Sequence, residues 1–197
     1  NGGYIEEVRD ICNKKKIWLI EDTCESLGVK KRNKYLGTFG DIGTYSFYFS
    51  HHITTVEGGM IVTNNDYLAN KIYSLRSHGW TRDMFNAKEY EKQFPEIDPR
   101  FLFVNVGYNL RSTDMNASIG LVQLKKLEKF NMKRHEIGKT WNKAFEKLKK
   151  NDLLKPMKIT KGTKASWFGF PVICKTRNMR DELREHLEKN GIETRPI

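Results

Sequence analysis

Two adjacent imidazoles, His51 and His52, sit between the aromatic run Ser46-Phe47-Tyr48-Phe49 and the turn Glu57-Gly58-Gly59. An imidazole with an ordinary pKa of about 6.5 takes and returns protons at neutral pH, which makes this pair a candidate for acid–base chemistry. The segment reads as strand, loop, strand, with both histidines at the tip of a sheet, where α/β enzymes keep their chemistry. Neighbours in an extended segment point to opposite sides, so one histidine is expected to face a pocket and the other to be packed. A missing residue is equally informative: no lysine occurs between Lys34 and Lys71.

Three further places carry candidate chemistry. Asp22 follows the apolar run Ile17-Trp18-Leu19-Ile20, which has the pattern of a strand buried on both faces. A carboxylate there needs a cation, either a protonated heterocyclic nitrogen or an ordinary Arg or Lys. Ser46 lies five residues before His51 and can donate its hydroxyl to a phosphate, or serve only the strand. In 107–114, Asn109 and Arg111 precede a helix start that Thr113 or Asp114 can cap. That grouping suits an anion, and equally suits a capped helix with exposed polar residues. No Cys, Asp or further His stands at zinc-ligand spacing near the histidines, and no G-x-S-x-G elbow occurs.

The elements that must position these groups follow from periodicity. Residues 4–15 have helical spacing at Ile5, Val8, Ile11 and Cys12. A helix followed by a buried strand is half of a βα repeat and predicts a largely parallel sheet. Residues 28–43 are glycine-punctuated and predict short hairpins. Strands are expected over 44–49 and 60–63, and a helix capped within 64–66 and running to about Ser77. Residues 80–104 show no period and contain Pro95 and Pro99, which predicts an irregular excursion. Beyond them the pattern predicts a helix from Thr113 or Asp114, a long helix over 132–149, a strand over 166–174 and a helix over 179–190 ended by Gly191.

Composition narrows the class. The 197 residues, 38% hydrophobic with four Trp, eight Tyr and eleven Phe, support a packed core. The ends, Asn1 and Ile197, read as cuts within a longer protein. No signal peptide and no apolar run long enough to span a bilayer occur, so the protein is expected to act in the cytoplasm and away from membranes. Cys12, Cys24 and Cys174 are odd in number and widely spaced, and read as buried thiols. The net charge of +11 is spread along helices and loops. It reads as solvated faces rather than a track for nucleic acid.

Several blocks in order carry a resemblance to a known family. They are Ile20-Glu21-Asp22, Glu25-Ser26-Leu27-Gly28, Gly37-Thr38-Phe39-Gly40-Asp41-Ile42-Gly43, Ser46-Phe47, Glu57-Gly58-Gly59, Gly107-Tyr108-Asn109 with Arg111, and Thr113-Asp114. Leu75-Arg76-Ser77-His78-Gly79 and Gly191-Ile192-Glu193-Thr194-Arg195-Pro196 add to them. Together they resemble the DegT/StrS-type sugar aminotransferases across essentially the whole chain. The resemblance implies an α/β fold of the fold-type I pyridoxal-phosphate architecture. Residues 1–130 would be part of its large, mostly parallel-sheet domain, and 131–197 the start of its small α+β domain.

The resemblance also implies roles. Asp22 would pair with the pyridinium nitrogen of pyridoxal or pyridoxamine 5′-phosphate, and Ser46 would bind its phosphate. Asn109 would reach the phosphate held by a neighbouring subunit, which makes the active unit a homodimer with shared sites. Glu25 stands where the family often has Gln or His beside the ring. His51 occupies the position of the Schiff-base lysine, and Val56 replaces a usual glycine. Imidazole cannot store the cofactor covalently but can act as a base. That change resembles the nucleotide-sugar 3-dehydrases, which use pyridoxamine phosphate to remove the C3 hydroxyl of a 4-keto-6-deoxy sugar nucleotide. C3 dehydration with His51 as base is therefore the leading expectation. The alternatives are amino transfer from a donor such as glutamate to the keto sugar, and a non-catalytic binding protein on the same scaffold. The cysteine spacing gives no support for an iron–sulfur cluster.

Overall fold

The computed structural model describes residues 2–148 and 154–195, so Asn1, Lys149, Pro196 and Ile197 of the patterns above lie outside the described residues. Helix α1 (Ile5–Lys15) ends where Lys16 takes a left-handed φ of 55°, and the chain turns toward strand β1 (Ile20–Asp22). The hairpin β2 (Lys30–Lys31) and β3 (Lys34–Tyr35) turns through Arg32 and Asn33, both at positive φ. Positive φ at both central residues matches the right-handed twist of paired strands. Strand β4 (Ile42–Ser46) and strand β5 (Gly59–Val62) flank the histidine loop.

The sheet that positions the site has the order β1-β4-β5, with β1 parallel to β4 and β4 antiparallel to β5. The α/β class stands, while the parallel character expected of this region rests on one pairing. β5 follows β4 through the loop 47–58 and returns directly along its edge, which makes that pairing antiparallel. A Cβ on Gly43 would lie 1.9 Å from the Gly37 carbonyl oxygen, so the Gly37 turn can lie on β4 only over a glycine.

Helix α2 (Asp66–Leu75) is capped by Asn65, whose side chain accepts from the Leu68 N–H. Within 80–104 the expected irregular stretch contains helix α3 (Ala87–Gln93) and a 3-10 turn (Pro99–Phe101). Two turns of helix are too short to display a period, which is why the sequence pattern missed them. Thr113 caps helix α4 (Asp114–Leu124) by accepting from the Asn116 N–H. Helix α5 (Leu127–Leu148) starts earlier than its period suggested, so residue 130 lies inside a continuous helix.

Strand β6 (Leu154–Pro156) pairs antiparallel with β8 (Val172–Cys174), and β7 (Thr163–Lys164) pairs with β2. The strand expected over 166–174 is thus confined to its last three residues. Thr176 caps helix α6 (Arg177–Lys189), and Gly191 follows it at φ 76°.

Two expectations about burial are corrected. Ile17, Trp18 and Ile20 are 59%, 63% and 62% exposed, so the apolar run is not a strand buried on both faces. β1 begins only at Ile20, lies at the edge of its sheet, and puts Glu21 rather than an apolar residue on its packed face. The three cysteines are free and half-buried rather than buried. The clearest core is a cluster of Val29, Leu36 and Phe39 with Ile5 against it, beneath the hairpin.

Candidate active site

Strand register decides which groups share a face. Asp22 is opposite Thr44 and Glu21 is opposite Gly43. Alternation along β4 then puts Asp22, Thr44 and Ser46 on one face, and Glu21, Gly43 and Tyr45 on the other. Asp22 and Ser46 therefore meet at the carboxyl end of the β1/β4 pair, the end where α/β sheets hold ligands. The Cys24 thiol, 4.0 Å from the Thr44 hydroxyl, lies beside them.

The opposite face explains how this end is held. Glu21 is 5% exposed. Its carboxylate accepts from the backbone N–H groups of Gly37 at 2.8 Å, Phe39 at 2.5 Å and Gly40 at 2.6 Å. Charge-assisted bonds to three backbone donors are strong, and they pin the glycine-rich turn against β1. The Tyr45 hydroxyl donates to the Leu36 carbonyl at 2.6 Å on the same side. This scaffolding role of Glu21 was not assigned from sequence, although an acid directly after an apolar run was a usable signal.

Asp22 is exposed, not desolvated as its place in the sequence suggested. Cys24 holds its carboxyl below the ordinary range through its thiol and its backbone N–H at 3.1 Å, with a smaller contribution from His51. Burial, then Asp22, pushes the Cys24 thiol up. Asp22 is thus an ionised, accessible carboxylate with an imidazole close enough to act on it. Ser46 is half-buried, and its Oγ accepts from the Tyr48 N–H at 3.2 Å, which leaves its own proton free to donate.

The loop after Ser46 is closed at its base. The Phe47 N–H donates to Gly58 O at 2.9 Å, and the Thr55 N–H donates to Phe47 O at 2.8 Å. Helix α4 adds a clamp: Asn116 Nδ2 donates to the carbonyls of Thr55 at 2.6 Å and Glu57 at 3.3 Å. Inside this closure the histidines occupy bends rather than extended backbone, so simple alternation does not separate them. Burial does. His52 is 2% exposed, and its Nε2–H donates to the Ser166 carbonyl at 3.3 Å. His51 is half-buried and has only its Nδ1 buried without a partner among the described residues.

The structure puts Asp22 and Ser46 on one sheet face with His51 near the carboxylate, and the other two expected residues are solvent-exposed. Glu25 is an exposed turn residue. Asn109 is exposed and bridges Ser77 just beyond α2, with Val106 at 96%, Tyr108 at 66% and Leu110 at 71% exposure around it. Asn116 was not foreseen, and only its place three residues into the Thr113 cap hinted at a buried task.

The donor set fits a phosphorylated pyridine. An ionised carboxylate suits a protonated ring nitrogen, a hydroxyl with a free proton suits a phosphate, and an imidazole lies close enough to the carboxylate to help hold its pKa down.

A family model described as the DegT/DnrJ/EryC1/StrS aminotransferase family matches residues 2–197. The chain is 38% identical over 201 residues to a GDP-4-keto-6-deoxy-D-mannose 3-dehydratase of Escherichia coli O55:H7, covering 100% of this chain and 50% of that protein. It is 32% identical over 193 residues to a GDP-perosamine synthase of Escherichia coli O157:H7, covering 98% of this chain and 48% of that one. A solved E. coli GDP-4-keto-6-deoxy-D-mannose-3-dehydratase with bound hydrated PLP superposes with a TM-score of 0.83 at 37% identity, over 100% of this chain and 50% of that chain. The chain spans about half the length of these relatives.

Proposed function

The chain belongs to the DegT/DnrJ/EryC1/StrS aminotransferase family, and from that premise we propose that it forms the proton-transfer half of a nucleotide-sugar 3-dehydrase dependent on pyridoxamine phosphate. The observation that carries this reading is His51. It lies in the loop that leaves the carboxyl end of β4 after Ser46, near enough to Asp22 to lower its pKa, in a segment with no lysine between Lys34 and Lys71. A group that cannot hold the cofactor covalently but can take a proton fits elimination better than ordinary amino transfer.

Each residue would have a defined task. Asp22 would keep the ring nitrogen protonated, and Ser46 would donate to the phosphate. Pyridoxamine phosphate, when bound, supplies the amine that condenses with a C4 ketone and the ring that spreads the electron pair released beside it. His51 would take the proton from the carbon bearing that amine through Nε2, and the C3 hydroxyl would depart with its bonding electrons. Asn109 would serve the site of a second copy, making the working unit a homodimer. Glu25 would stand beside the ring. Residues 131–197 would open the smaller domain that closes over the site. The substrate would be a 4-keto-6-deoxy sugar nucleotide, the amino donor glutamate, and the setting the cytoplasmic assembly of surface polysaccharide.

The alternative is amino transfer to the same keto sugar, favoured by the likeness to a perosamine synthase. One assay separates them. The full-length protein is supplied with a 4-keto-6-deoxy sugar nucleotide, glutamate and pyridoxal phosphate, and the product is weighed. Loss of the C3 oxygen is the expected result, whereas a stable amino sugar that keeps that oxygen would establish transamination. Borohydride should trap no lysine adduct in this pocket, and a trapped adduct would remove the mechanistic argument.

A further inference from the structure

Far along the chain, residues 165–168 run beside the histidine loop without forming a strand. Four side chains hold this segment. His52 donates to Ser166 O at 3.3 Å and His135 Nδ1 donates to Ala165 O at 3.0 Å. Arg134 Nη1 donates to Trp167 O at 2.7 Å and to Phe168 O at 3.3 Å. Ser166 Oγ donates to Asn131 at 2.7 Å. Asn131, Arg134 and His135 stand at helical spacing on one face of α5, so one face of that helix reaches the whole of this stretch, while Asn131 Nδ2 also donates to the Leu27 carbonyl at 3.0 Å. Burial pushes the Arg134 guanidinium below its ordinary range, and among the described residues its partners are carbonyls rather than a carboxylate. Trp167 lies so close to α5 that a Cβ on Gly138 would come within 2.1 Å of its ring.

So much polar holding of an irregular segment needs a reason, and the reason is what Phe168 touches. Its ring centroid is 5.1 Å from that of His51 at 32°, and 6.4 Å from that of His52 at 34°. Tyr48 adds a second ring to His51 at 6.3 Å and 67°. These separations lie in the range of about 4.5–7 Å over which rings attract. We infer that Phe168 is a positioning residue for His51: held through its own carbonyl by Arg134, it fixes the plane of the imidazole and leaves Nε2 as the nitrogen that works.

The physical case is rotational. His51 sits in a bend, and no hydrogen bond among the described residues fixes its ring. A half-exposed imidazole without a partner samples several staggered rotamers. A ring packed at a 32° tilt against it removes those that leave the contact. Among the described residues the ring contacts of Phe168 are with His51 and the buried, structural His52, so its effect on chemistry passes through His51. The inference rests on reading His51 as the proton-transfer group.

The test uses the full-length protein with Phe168→Leu and Phe168→Tyr. In the Leu variant kcat for dehydration should fall about tenfold or more, because a misplaced base loses orientation. KM for the sugar nucleotide, binding of pyridoxamine phosphate measured by absorbance, and thermal midpoint should stay near wild type. The Tyr variant, which restores the ring, should recover most of the rate. Unchanged kcat in a folded Leu variant would overturn the inference, and so would parallel loss of kcat, cofactor binding and thermal midpoint. A measurement free of activity completes it. The Cε1 proton of His51, assigned by its loss in His51→Gln, should show an upfield ring-current shift in the wild type. A random-coil shift would reject the contact, whether or not the enzyme proves to be a dehydrase. Failure of the wild type to dehydrate any keto sugar would instead reject the functional reading and leave the contact standing.

Discussion

His51 and His52 share a sequence context and differ in everything that sets their chemistry. Burial pushes His52 down to about 4, against a partial rise from the Ser166 carbonyl, with Arg134 and His51 lowering it further. Its folded pKa therefore lies below the unfolded value of about 6.5. Between these values the unfolded chain binds the proton and the folded chain does not. The stability that His52 contributes is thus complete above about pH 6.5 and is lost as pH falls toward 4, amounting to roughly 3 kcal/mol across the window. Urea midpoints of the full-length protein should fall between pH 7.5 and pH 5. His52→Gln, which keeps a donor for Ser166 but cannot charge, should show a shallower decline and a lower midpoint at pH 7.5. Equal slopes in the two proteins would mean that other groups carry the acid sensitivity. His52 is thereby a structural residue whose neutrality keeps the loop of His51 closed.

The loop joining β4 to β5 illustrates how an element can be strained and still hold. Val56 has φ 72° and is 57% exposed, so a β-branched side chain occupies left-handed space with little packing in return. That conformation costs roughly 1–2 kcal/mol, whereas glycine costs roughly 0.5–1 kcal/mol in lost chain freedom. Val56→Gly should therefore raise the thermal midpoint of the full-length protein by a few degrees, about 1 kcal/mol at most. A lowered midpoint would show that Val56 makes contacts worth more than its strain. The clamp that enforces the turn could not be read from sequence, since Asn116 lies 61 residues from Thr55. The same holds for the pairing of β7 with β2, because two-residue strands have no period to detect. Helices α1, α2, α4 and α6 were legible because apolar spacing, the caps Asn65 and Thr113 and the terminal Gly191 are local signals, whereas the Thr176 cap and the first two residues of α6 were missed. The shared face of Asp22 and Ser46 follows from adjacent strands of one sheet, and His51 from the loop that leaves the second of them. Phe168 was not legible, since nothing near it in the chain refers to His51.

At the scale of the molecule, apolar surface is distributed in a way that a lone chain does not favour. Ile20 and Ile61, on the sheet face that carries Asp22, are 62% and 50% exposed. Met115 and Leu121 of α4 are 77% and 67% exposed, and Val106 beside Asn109 is 96% exposed. At about 25 cal/mol for each Å² of apolar surface, covering such groups is a substantial driving force. The chain spans about half the length of its relatives, so part of the cover would come from the rest of such a protein. The strip around Asn109 would instead meet a second copy in a two-fold dimer. If Asn109 serves the partner's cofactor, one site needs His51 from one subunit and Asn109 from the other. His51→Gln and Asn109→Asp proteins should each be inactive alone. Mixed through a cycle of mild denaturation and renaturation, random pairing makes half the dimers hybrid. Each hybrid holds one intact site and one doubly altered site, so about a quarter of the wild-type activity should return. Sites built within one chain would regain none, because every chain in the mixture lacks one of the two residues.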